Sequence, residues 1–191
     1  MIIIGLGLGM VLGFVSLYFS LADFLMVLIV IAQIEVVKFF ILLQKPFRLN
    51  HDSTFYGLGL GTGIGAMVVF VYSYAAALAF LEEGTLLDFQ TVLFVFLISY
   101  NYTLVNGGTG AIIGYGSYQG DFWNYLGKAF IVSGVHGLLM TLVWSFRFGL
   151  EGTFAVLIIG AIYCSVLMFY VYNELLPASI PEELRKHLTV D

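Results

Sequence analysis

The stretch Phe55-Tyr-Gly57-Leu-Gly59-Leu-Gly61-Thr-Gly63-Ile-Gly65-Ala-Met-Val-Val-Phe70 decides how this chain must be read, and the run it opens continues to residue 81 without a charge. A bilayer core asks for about 20 apolar residues per helix, so the run is long enough to cross a membrane. Its alternating glycines imitate a nucleotide-binding loop. No strand precedes them, however, and they lie within an apolar run, so phosphate binding is set aside. Wound as a helix, Gly57, Gly61 and Gly65 stack on one face at i, i+4, i+8, with Gly59 and Gly63 on another. Such rows let neighbouring backbones approach closely.

Further runs of this kind fall at residues 2–19, 22–43, 89–118, 122–146 and 153–175. The chain is 61% hydrophobic and 10% charged, with a mean hydropathy of +1.02. A water-soluble fold cannot hide that much apolar surface, so the expected class is an all-α transmembrane bundle of about six helices. The run at 89–118 is expected to be one long tilted helix; a break at Asn106-Gly107-Gly108 would make seven. Glycine rows recur at Gly5, Gly9 and Gly13, at Gly110 and Gly114, and at Gly116 and Gly120. They serve packing within the bundle or the docking of a partner helix, which leaves a partner membrane protein or a homo-oligomer open.

No basic region precedes the first run, so a retained helix is expected there rather than a cleaved signal. With the N-terminus inside, Lys38, Lys45, Arg48, Lys128, Arg185 and Lys186 fall at cytoplasmic helix ends and only Arg147 outside, which predicts cytoplasmic termini. Glu82, Glu83 and Asp88 then fall in an external loop. Residues 1–176 read as one bundle and 177–191 as a tail. There Pro177 breaks the last span, and Ser179-Ile-Pro-Glu182 caps a short amphipathic helix through His187. Cys164 reads as a small buried hydrophobe.

Ionisable groups at membrane depth are costly and require partners or a function. Glu35 and Lys38, spaced i, i+3, read either as an ion pair near the cytoplasmic interface, where Lys38 can snorkel, or as part of a catalytic centre. His136 requires a partner inside the bundle, and Asn101 and Asn106 are candidates for it. His51, His136 and His187 fall too far apart in this topology to ligate one metal, so neither a metal nor another cofactor is expected. Nothing points to nucleic acid; the expected partner besides protein is the lipid bilayer.

Glu35-Val-Val-Lys38-Phe39-Phe40 resembles the Glu-x-x-Lys-aromatic motif of PrsW-type intramembrane proteases and the corresponding segment of the APH subunit of γ-secretase. Asp52-Ser-Thr-Phe-Tyr56-Gly57 and the glycine-rich run after it are similar to the next helix of both groups. Ser133-Gly-Val-His136-Gly137 resembles their late His-bearing helix. The resemblance covers roughly residues 30–145 and implies a PrsW/APH-like bundle. PrsW-type enzymes carry a second Glu where Ile34 stands, a Glu at Val68, a His near Gly108 and an Asp at Met140. The resemblance therefore implies a non-catalytic, APH-like scaffold. Its alternative is a reduced protease using Glu35 as base and His136 as its partner or metal ligand. A small-molecule transporter, with Asn101, Asn106 and a break at Gly107-Gly108 lining a cavity, is a third reading.

Overall fold

The computed structural model describes residues 24–83, 88–145 and 150–181. The described chain is all-helical. It comprises α1 (Phe24–Leu42), α2 (Ser53–Glu83), α3 (Phe89–Gln119), α4 (Phe122–Ser145) and α5 (Leu150–Tyr170), then a π-helical turn (Val171–Leu175) and the short α6 (Leu176–Ser179). Three stretches are long and apolar enough to cross a membrane: Ser53–Tyr74, Phe89–Gln119 and Glu151–Ser179. The expected count of about six crossings is therefore not reached among the described residues. The run at 2–19 with Gly5, Gly9 and Gly13, Arg147, and the tail helix after Pro181 lie outside them.

The distribution of polarity is inverted relative to a soluble protein. Phe40, Phe70, Phe96, Ile131, Ile162, Val166 and Phe169 face outwards, whereas Glu35, Lys38, Asn101, Asn106, Thr109, Ser133 and His136 are buried. Water would penalise both halves of that arrangement; a hydrocarbon surround rewards the first and requires internal partners for the second.

α3 is the central helix, packed against α1, α2, α4 and α5. It runs unbroken through Asn106-Gly107-Gly108, as expected of a single long helix. Its most extensive partner is the antiparallel α2. The Gly57, Gly61 and Gly65 row meets Gly110, Gly107 and the backbone at Tyr102–Thr103 in turn. A methyl group on Gly57 would collide with the Gly110 carbonyl oxygen, and one on Gly110 with the Gly57 carbonyl. Gly61 abuts the Asn106 carbonyl in the same way, and Gly114 that of Ser53. The approach is close enough for reciprocal Cα–H···O contacts, which only glycine allows along the whole row. Gly63 is buried and Gly59 half-buried.

Local signals fix the helix ends. Asp88 caps α3, its Oδ1 accepting from the Thr91 N–H at 2.8 Å. At the other end Gly120 adopts φ 77°, the left-handed geometry that closes a helix. Pro177 does not end the last span. The π turn, in which the Leu176 N–H reaches the Val171 carbonyl, shifts the register so that Pro177 enters the first turn of α6. There its missing N–H costs little, and the helical path continues to Ser179.

Two predictions follow from this packing. Gly61→Ala should destabilise the bundle by about 2 kcal/mol or more, because the obstacle is backbone that cannot yield. Gly127→Ala, where nothing lies within 4 Å of the added methyl, should be neutral or stabilising by about 0.5–1 kcal/mol. Unfolding in mixed micelles distinguishes the two variants, and equal effects would refute the close-contact account. The Thr91 hydrogen bonds hold the Asp88 carboxyl below its ordinary value of 3.8. Its capping contribution is therefore complete above that value and is lost as pH falls through the lowered folded-state pKa. Asp88→Asn should flatten this acid limb in a pH-dependent unfolding series.

Candidate functional site

The polar residues of the interior converge where α1, α3 and α4 meet. Glu35 and Lys38 lie one turn apart on α1, and both point inward, exposed by only 1% and 0%. Lys38 therefore does not snorkel to an interface. Its ammonium is held instead by three oxygens: Glu35 Oε1 at 2.9 Å, Thr109 Oγ1 at 2.8 Å and the Asn106 carbonyl at 3.4 Å. That set uses all three ammonium protons.

Glu35 Oε1 is equally committed. Besides the Lys38 ammonium it accepts from Thr109 Oγ1 at 3.1 Å and from Ser133 Oγ at 2.5 Å. Thr109 stands on α3 and Ser133 on α4, so one carboxylate oxygen ties three helices together. A charge-assisted hydrogen bond of this kind is worth about 1.5–3 kcal/mol, roughly twice a neutral one. The pair is electrically neutral as a unit, which is the condition for burying it.

Among the described residues three buried side-chain atoms have no hydrogen-bond partner: Glu35 Oε2 and His136 Nε2 in this region, and Thr54 Oγ1 at the start of α2. His136 lies one helical turn beyond Ser133, so it shares the α4 face that contacts Glu35. Its ring stands nearly perpendicular to that of Tyr102, at 5.4 Å between centroids. Neither asparagine provides the partner expected for His136. Asn106 Nδ2 turns back to the Tyr102 carbonyl at 2.9 Å. Asn101 Nδ2 donates to the Leu97 carbonyl at 2.8 Å and to the Leu157 carbonyl on α5 at 3.1 Å. Both amides are used to satisfy backbone, Asn101 joining α3 to α5, and Gly160 leaves the room that its side chain fills.

Val68, Gly108 and Met140, the positions that the resemblance would align with acids and an imidazole, are packed with carbon. Val68 lies in the main core cluster, which also holds Leu60, Ile64 and Val105. Gly108 is covered by the Leu167 side chain. Met140 packs with Ile98, Val143 and Leu157. Among the described residues, no group of three His, Cys, Asp or Glu side chains converges as a metal site would require.

The residues that sequence reasoning missed are Thr109 and Ser133. Each is a small hydroxyl three residues from a named polar residue, Thr109 from Asn106 and Ser133 from His136. That i, i+3 pairing within otherwise apolar helices was the available signal. The Gly57 and Gly110 rows, in turn, serve internal packing and are filled by each other. Comparison of the chain with protein-family models, with curated proteins and with solved structures finds no match.

Proposed function

We propose that this chain is a non-catalytic, multi-pass membrane scaffold of PrsW/APH-like type, and that the buried Glu35–Lys38 pair serves its architecture rather than a reaction. The observation that carries this reading is the commitment of Glu35 Oε1 to Lys38, Thr109 and Ser133 inside a closed interior. A general base must reach a water or a substrate proton, and a carboxylate held against its own ammonium on the same helix turn is poorly placed to do so. The carbon packing at Val68, Gly108 and Met140 supports the same reading.

A scaffold of this type packs against partner membrane helices or a second copy, with outward surface other than the mated α2–α3 row. A groove of about 400 Å³ between α3 and α5 has Ala161 and Ser165 among its lining residues, beneath Phe96 and Tyr100. Its small residues at i, i+4 suit close helix approach. Lys45, Arg48 and Lys128 all sit at one end of the bundle, with Asp88 and Glu151 at the other. This supports placing the first end, and with it the C-terminus, on the cytoplasmic side. An N-terminal span before α1 would place the N-terminus there too and bring the helices to about six.

The second reading, an intramembrane protease, is favoured by one feature: the unpartnered Glu35 Oε2 and His136 Nε2. A pair of substitutions separates the two. Glu35→Gln alone strands a buried ammonium and should cost about 3–5 kcal/mol. Glu35→Leu with Lys38→Met replaces the pair by carbon and should restore stability to near the parent value. On the scaffold reading the double variant keeps its partner through purification in mild detergent. On the protease reading it folds but no longer cleaves a membrane substrate, and His136→Ala does the same. A parent chain that is monomeric in every mild detergent would overturn the scaffold.

A further inference from the structure

Three cations among the described residues are exposed, Lys45, Arg48 and Lys128, and none of them forms an ion pair there. Two are positioned by aromatic rings on the first turns of α4. The Arg48 guanidinium lies 5.1 Å from the Phe122 ring centroid, and the Lys128 ammonium 4.1 Å from that of Tyr125. Phe122 and Tyr125 are spaced i, i+3, so the two cations flank one face of the helix.

The turn between α1 and α2 fixes Arg48 in place. Its N–H bonds the Gln44 carbonyl at 3.0 Å, and the next residue, Leu49, takes φ 58° while its N–H reaches the Ser117 carbonyl at 3.1 Å. A left-handed leucine is a conformation that needs such anchoring. Beside the cations, Trp123 is 76% exposed and Leu49 61%. The Trp123 ring also touches Phe39 of α1, at 5.2 Å between centroids, and Phe40 next to it faces outward. Fixed cations at the rim, with exposed Trp and aliphatic surface just inside them, match a lipid at the membrane boundary: charge for its headgroup, carbon for its chains.

Three acids stand at the same end, and among the described residues none forms an ion pair with Arg48 or Lys128. Asp52 pairs with His51 at 3.2 Å, and Asp121 accepts from Asn124 at 3.0 Å. Glu174 is exposed on the π turn after α5.

We propose that Arg48 and Lys128, at the helix end that also carries the exposed Trp123, form a site for the headgroup of an anionic phospholipid. This inference does not depend on whether the chain is scaffold or protease. The chain holds two tryptophans, so Trp144→Phe leaves Trp123 as sole reporter. The full chain is reconstituted in phosphatidylcholine vesicles containing equal fractions of brominated phosphatidylglycerol or brominated phosphatidylcholine, and quenching of Trp123 is read. The anionic quencher should be preferred about five-fold, the effect expected of one surface cation or more. Arg48→Gln with Lys128→Gln should bring the ratio to near unity, whereas Arg48→Lys with Lys128→Arg should retain it. Equal quenching by the two lipids in the parent overturns the proposal, as does a preference that survives the Gln pair. Loss of the preference on adding millimolar inorganic phosphate at constant ionic strength also overturns it, in favour of a soluble anion.

Discussion

A charged pair can be buried in this bundle only if its two members face each other and every remaining proton and lone pair finds a partner. Glu35 and Lys38 meet that condition almost fully, and the arrangement of helices follows from how they do so. Lys38 draws Thr109 and the Asn106 carbonyl of α3 towards α1. Glu35 draws Ser133 of α4 to the same point. Two helices are thereby brought to a third at defined heights, because a sliding of any one by a single turn would leave a charge unpaired in carbon. Apolar side chains cannot impose that register in lipid, where one hydrocarbon contact is much like another.

The glycine rows do the complementary work. They contribute no charge and no specific side-chain contact, but they let α2 lie against α3 closely enough that backbone meets backbone. α3 is thus supported along one side by α2 and tied on others to α1 and α4 by hydrogen bonds. The junction through Asn101 to the Leu157 carbonyl extends the same principle to α5. Close backbone contact governs the α2 side of the central helix, and polar bonds add to apolar packing on the others. Substitutions on the two sides should therefore fail by different mechanisms, steric at Gly61 and electrostatic at Glu35.

Much of this was legible in the sequence. The run from Phe55 announced an apolar helix, the unbroken span through Gly107-Gly108 was expected, and Glu35 and Lys38 stood out by spacing alone. Other features were hidden for physical reasons. Sequence spacing gives the face of a helix but not what lies opposite it, so the depth of Lys38 and the roles of Thr109 and Ser133 depended on the assembled bundle. Pro177 misled because a π turn changes the register on which the helix-breaking rule depends. The partner expected for His136 failed because Asn101 and Asn106 found nearer backbone carbonyls, a local alternative always open to a short amide within a helix.

Among the described residues, Glu35 Oε2 and His136 Nε2 are the buried polar atoms near this centre without a hydrogen-bond partner. Leaving such atoms buried costs about 1–3 kcal/mol each, a strain that natural cores keep few of. At this centre that cost falls on Glu35 and His136. A carboxylate with one oxygen fixed and the other free is held in orientation without being fully occupied. Lys38 neutralises the charge, and the hydroxyls of Thr109 and Ser133 fix the position of the first oxygen. The same geometry explains why the scaffold reading need not discard Glu35. Once Lys38 and two neighbouring helices depend on it, its loss is structurally expensive whether or not any chemistry remains.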